Sequence, residues 1–154
     1  MDAGMPIGLR FSILHRSFMK QLDERLREKG LTGVQFGVLG QLRRLEKAGA
    51  EEVNQRDLEQ ATHVTHPTMT EIVKRLEKQG FALCRASARD RRYKCIRSTE
   101  KAEALLLEMK ELDDSIFQSL CADLSAEEIG ALLRLTDKLL KNACAVEQKG
   151  SEEA

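Results

Sequence analysis

Tryptophan is absent and tyrosine occurs once in 154 residues; with five phenylalanines, aromatics make up 4% of the chain. That is too few for the stacking platforms that hold single-stranded nucleic acid. Proline is scarce as well, with two residues, so long helices can run unbroken. The four cysteines, Cys84, Cys95, Cys121 and Cys144, show neither C-x-x-C spacing nor a dense framework. With no signal peptide, they point to a reducing cytoplasm. No apolar run approaches a membrane span, so no membrane partner is expected. His15, His63 and His66 lack ligand-like spacing, and neither a metal nor a cofactor is expected. There is no Ser/His/Asp or Cys/His set, no glycine-rich phosphate loop and no pocket-like pair of carboxylates, so the chain does not read as an enzyme.

Net charge is missing too, with 25 Lys and Arg against 25 Asp and Glu, but the distribution is uneven. From Arg85 to Arg97 six cations face one carboxylate, for +5. From Glu100 to Glu128 nine acids face two lysines, for −7. Partner arguments therefore belong to local patches. The cationic one suits phosphate.

Apolar periodicity predicts the elements. Phe11, Leu14, Phe18, Leu22 and Leu26 recur at helical spacing from about Leu9, and Gly30 stops the helix. Thr32 and Gln35 form a capping-box pattern for a second helix, with Val34, Val38, Leu42 and Leu45 on one side. Asn54 caps a short third helix that turns Leu58 and Ala61 inward. His63-Val64 connects it to Thr65, the N-cap of a fourth with Pro67 in its first turn. That helix carries Met69, Ile72, Val73 and Leu76 on one face, and Pro67, Thr70, Glu71, Lys74 and Lys78 on the other. "FALCRAS" and "YKCIRST" read as strands around the loop "ARDR". Thr99 caps a long helix bearing Ala102, Leu105, Leu106, Met109, Leu112 and Phe117. "SAEE" from Ser125 opens a last helix with Ile129, Leu132, Leu133, Leu135, Leu139 and Leu140. The end, "EQKGSEEA", reads as a polar, frayed tail. The fold class is mainly α with a small β-wing: a winged helix-turn-helix flanked by N- and C-terminal helices. A helix can enter the major groove while a cationic hairpin tip reaches the narrow minor groove beside it.

The stretch "VNQRDLEQATHVTHPTMTEIVKRLEKQGF" resembles the helix-turn-helix of MarR-type regulators, the multiple-antibiotic-resistance regulator family. The following "RASARDRRYKCIRSTEKA" is similar to that family's wing signature, Asp-x-Arg-x5-Leu-Thr, here on Asp90, Arg92 and Thr99 with Ser98 in the leucine's place. The resemblance runs from about residue 8 to 143. It implies a homodimer, with 1–30 and 100–146 as the helical dimerisation region, 31–99 as the DNA-binding lobe and 147–154 as tail. It also implies a pseudo-palindromic double-stranded DNA operator, met by two recognition helices in successive major grooves. The leucine-rich terminal helices support an interface independently.

Expected DNA contacts follow. Thr65 and the helix N-terminus would anchor phosphate, and His66, Pro67, Thr68 and Thr70 would meet bases or methyl groups. Lys74 lies on the same outer face, where the bland alternative is a solvated surface. Glu71 would pair within the helix, with Lys74 or Arg75. Gln55 would bond a phosphate or cap its own helix, and Arg75 would contact the backbone or anchor the wing. At the tip, Arg89, Arg91 and Arg92 supply charge, with Asp90 holding Arg92 in one rotamer. Relatives often line an effector crevice at the first helix; here Phe11, His15, Phe18, Phe36 and Leu39 would take an aromatic or amphipathic molecule.

If the hairpin turned symmetrically about Arg89 and Asp90, Cys84 would oppose Cys95. A disulfide there would be strained and readily reduced. Both cysteines are read instead as small apolar residues. The first helix has no cysteine, so the peroxide chemistry of one branch of the family is not expected. The chain is read as a cytoplasmic homodimeric repressor released by a small-molecule or redox signal; the alternative is a winged-helix module that binds protein.

Overall fold

The computed structural model describes residues 4–88 and 92–152, with side chains as far as residue 143. Its elements, in order, are α1 (Ile7–Glu28), α2 (Gly33–Lys47), α3 (Gln55–Thr62), α4 (His66–Lys78), β1 (Ala82–Ala86), β2 (Lys94–Ser98), α5 (Glu100–Leu120) and α6 (Ala126–Glu152). The chain divides into two units, Met1–Asp114 and Ser115–Ala154.

Local chemistry fixes the helix ends. Gly30, at φ +73°, reverses the chain so that the Leu31 N–H reaches the Leu26 carbonyl at 2.9 Å. Thr32 and Gln35 close the expected capping box, each side chain bonding the other's backbone N–H. Asn54 and Asp57 close a second one at α3. Ser125 and Glu128 close a third at α6, and the Ser125 N–H holds the Glu128 carboxyl below its ordinary value. Thr99 Oγ1 accepts from the Ala102 N–H at α5. The α3–α4 turn hinges on His63, the non-glycine residue at positive φ (+54°) among those described.

The core of the first unit lies between these helices. Val38, Leu39 and Leu42 of α2, Leu58 of α3, and Met69, Ile72, Val73 and Leu76 of α4 are buried together with Leu26, Phe81, Ile96 and Met109. Fully burying such a side chain contributes about 1.5–3 kcal/mol each. All four α4 residues predicted to face inward do so. Val34 does not: it is 56% exposed, because Thr32 and Gln35 turn the first helical turn so that Gln35, not Val34, faces in.

The two strands pair antiparallel, with Ala82 opposite Ser98, Cys84 opposite Ile96 and Arg85 opposite Cys95. This corrects the symmetric hairpin considered above. The pairing is one residue out of the register that would oppose the two cysteines. A one-residue offset puts them on opposite faces of the ribbon. Val53 adds a third rung, its carbonyl accepting from the Ile96 N–H at 2.7 Å.

In the second unit, α6 continues to Glu152, past the predicted stop at 146. Glu147, Gln148 and Lys149 are good helix formers and carry it on. Leu132, Leu133, Leu135, Leu139 and Leu140 are each 41–58% exposed. Among the described residues, no helix is long and apolar enough to cross a membrane.

Candidate nucleic-acid interface

The outer face of α4 is polar and exposed at His66, Pro67, Thr68, Glu71, Lys74 and Arg75. Thr65 holds the N-cap position in extended geometry, but its side chain does not cap. Its hydroxyl lies 3.0 Å from that of Thr68. The first-turn N–H groups of α4 therefore keep their outward donors. Lys74 Nζ pairs with Glu71 at 3.0 Å, one of the two intrahelical options expected for Glu71. Both side chains are about two-thirds exposed, so the pair adds little stability and would yield readily to a stronger partner.

Gln55 is placed differently from the phosphate contact or local cap expected of it. Its amide nitrogen reaches across the turn to Thr70 Oγ1 (2.8 Å) and to Glu59 Oε1 (2.9 Å). Thr70 in turn donates to the His66 carbonyl at 3.0 Å. The hydrogen and one lone pair of the Thr70 hydroxyl are thus spent inside the helix-turn-helix, and Gln55 sews α3 to α4. Glu59, which sequence reasoning missed, completes this cluster with His66 Nδ1 2.7 Å away. Hydrogen bonding from Gln55 and, to a lesser degree, His66 holds its carboxyl below the ordinary range against the opposing effect of burial. The i,i+4 spacing of Gln55 and Glu59 was visible; that His66 would close on them depended on the left-handed turn at His63.

Arg89, Asp90 and Arg91 lie outside the described residues, and with them the expected Asp90–Arg92 pair. Arg92 and Lys94 are exposed. With Arg56, Gln55, His66 and Tyr93 they line a cavity of about 340 Å³ where α3, the start of α4 and the wing meet. Three cations, Arg56, Arg92 and Lys94, border this concavity.

Two carboxylates before α3 fasten the wing, one at each end of the hairpin. Glu52 accepts from the Ser87 hydroxyl at 2.5 Å and the Ala88 N–H at 2.9 Å, just beyond β1. Glu46, at the end of α2, accepts from the Ser98 hydroxyl at 2.5 Å and the Ser98 N–H at 2.9 Å, at the end of β2. Arg97 donates to the Glu51 carbonyl. Ser98, which departs from the expected leucine, is thus a polar fastening to a carboxylate whose side chain is 7% exposed.

Cys84 donates its backbone N–H to Glu77, and its thiol is pushed up to about 11 by burial and by the Glu77 charge. Cys95 is buried. With its thiol so raised, Cys84 is not a thiolate nucleophile at neutral pH. Of the residues expected to line an effector crevice, Phe11 is 53% exposed, His15 is exposed, and Phe18 and Phe36 are half-buried. Leu39 is fully buried in the core and has no surface to offer a ligand. Among the described residues, no cluster of three or more His, Cys, Asp or Glu could hold a metal.

An apolar-faced supporting helix, a tight turn, a second helix with a polar outer face and a cationic two-stranded wing define a winged helix-turn-helix protein. A MarR family model matches residues 29–92, and the whole fold is that of MarR-type winged-helix transcription regulators. MepR, described as a transcription regulator of the Staphylococcus aureus multidrug efflux pump MepA, aligns with a TM-score of 0.75 at 22% identity, over 90% of this chain and 99% of its own. Apo MarR from E. coli aligns at 0.71 and 23% identity, over the same 90% and 99%. A MepR mutant bound to an oligodeoxyribonucleotide aligns at 0.67 and 23%, again over 90% and 99%. At these identities the likeness is one of fold.

Proposed function

We propose that the chain is a homodimeric, sequence-specific binder of double-stranded DNA that represses transcription from a pseudo-palindromic operator. The observation that carries this is the outer face of α4, polar, exposed and flanked by the Arg56–Arg92–Lys94 concavity. Recognition helices of two copies would lie in successive major grooves about one helical turn apart. Phosphate would meet the α4 N-terminus, Thr65 and the wing cations, while His66, Pro67, Thr68 and Thr70 would face base edges, Thr70 by its methyl.

The exposed apolar side chains of α1 (Ile7, Leu9, Phe11, Leu14) and of α6 supply the dimer surface within residues 1–30 and 100–146. Release by an aromatic or amphipathic effector near Phe11, His15, Phe18 and Phe36 fits better than a redox signal, given the raised Cys84 thiol and the offset register. An effector acts only by binding the released state better.

Anisotropy titration against duplexes selected from a random pool tests the proposal. Affinity should fall steeply with salt, as counterions are released, and Arg92→Ala should weaken it without unfolding the protein. Salt-insensitive binding to a protein, with no duplex enriched, would favour a protein-interaction module.

A further inference from the structure

Glu59 sits at the centre of the helix-turn-helix. Its Oε1 is 2.7 Å from His66 Nδ1 and 2.9 Å from Gln55 Nε2. A carboxylate only accepts, so both nitrogens must bring the hydrogen. Gln55 has two to give. One goes to Glu59, and the other fits Thr70 Oγ1 at 2.8 Å better than His66 Nδ1 or the His66 carbonyl, each at 3.2 Å. The imidazole must therefore supply its own hydrogen at Nδ1. Its other nitrogen, Nε2, is then the outward atom of a side chain that is 73% exposed in the first turn of α4.

We propose that Glu59 is a positioning residue that holds His66 as the Nδ1–H tautomer, so that Nε2 meets the major groove as an acceptor when the ring is neutral and as a donor when it is protonated. This rests on the DNA-binding reading above and deepens it. In the neutral state Nε2 fits an exocyclic amine, cytosine N4 or adenine N6; in the protonated state it fits guanine O6 or N7. Base preference at the His66 position thus changes with pH.

The charged and titratable groups facing the ring bear on this. From α3 they are Glu59 and, beside it, Arg56. From the wing they are Cys84, Arg92, Tyr93 and Lys94, which share the concavity with the ring. On α4 itself, Glu71 and Lys74 neutralise each other. Histidines as a class change charge between about pH 5 and 8. Glu59 remains an acceptor over that range, since its carboxyl titrates below its ordinary value of 4.5.

Two measurements test the proposal. In ¹⁵N-histidine-labelled free protein at pH 8, long-range ¹H–¹⁵N correlation, assigned with His66→Asn, should show the Nδ1–H tautomer for His66. In Glu59→Gln the Nε2–H form should gain. An Nε2–H tautomer in the unmodified chain overturns the proposal. Selection of duplexes from a random pool at pH 5.5 and pH 8 should return sites that differ at one position per half-site, with the base-preference ratio moving about 3- to 10-fold, the worth of one hydrogen bond. In His66→Asn that dependence should vanish. Enriched sites that are the same at both pH values, or that move equally in His66→Asn, overturn the proposal and leave the DNA-binding reading intact. No enrichment at either pH overturns both.

Discussion

The winged segment and the terminal helix complete themselves to different degrees. In the segment from Leu31 to Thr99, α4 turns Met69, Ile72, Val73 and Leu76 into one core, and both ends of the wing are tied by carboxylates. In α6, leucines at five positions stay 41–58% exposed. The first packs its inward apolar face into one core; the second has an apolar stripe that its own unit does not cover. Mutations that remove the same amount of hydrocarbon should therefore read out differently in the two places.

The largest effect belongs to the core. Leu58→Ala empties a fully buried site beneath α4 and should cost about 2–5 kcal/mol, seen as a loss of denaturation midpoint at every protein concentration. Leu139→Asp, at a site 54% exposed in the single chain, should leave the folded chain nearly untouched but weaken self-association by roughly 2 kcal/mol, on the order of thirtyfold in sedimentation equilibrium. If Leu139→Asp unfolds the chain at high dilution, or leaves association unchanged, the contrast between the two regions fails.

The wing base sharpens the comparison, because there polar groups do what leucine does elsewhere. Ser98→Ala leaves the Glu46 carboxylate, with its nearly buried side chain, short of a donor and should cost about 1–2 kcal/mol. The loss should concentrate in faster amide exchange along β2 and in weaker DNA binding. Ser98→Ala together with Glu46→Leu should recover only part of that stability, since it removes both side-chain partners but leaves the Ser98 N–H and Arg43 without their acceptor. A double variant as weak as the sum of the two singles would show that the fastening is not a pair.

What the sequence disclosed follows from the range of each interaction. Caps at Thr32, Asn54, Thr99 and Ser125 are local patterns, and all four are in place. The buried stripe of α4 is a periodic signal and was equally plain. Interactions between elements were not. That Gln55 would reach Thr70 across the turn depends on the angle between two helices, set by the left-handed turn at His63. The hairpin register turned on one residue, and that residue decided whether Cys84 and Cys95 shared a face. No local pattern singles out Glu46 and Glu52, because their partners lie 52 and 35 residues away.

The smallest effect separates burial from charge within the first unit. Glu108 of α5 accepts from Lys29, at 2.9 Å, and from Arg25 at the end of α1. The bond from Lys29, then that from Arg25, holds its carboxyl below the ordinary value of 4.5, with burial opposing. The folded chain therefore binds this proton less tightly than the unfolded chain does. The stability it contributes is complete above the ordinary value and drains away as pH falls through the lower, folded one. Glu108→Gln should lower the thermal midpoint slightly at pH 7, less so in high salt because all three side chains are a third or more exposed to solvent or close to it. At pH 3 the gap between variant and parent should narrow. A gap that ignores both pH and salt would mean that α1 is held here by packing alone, and that charge plays no part in fixing the terminal helix to its neighbour.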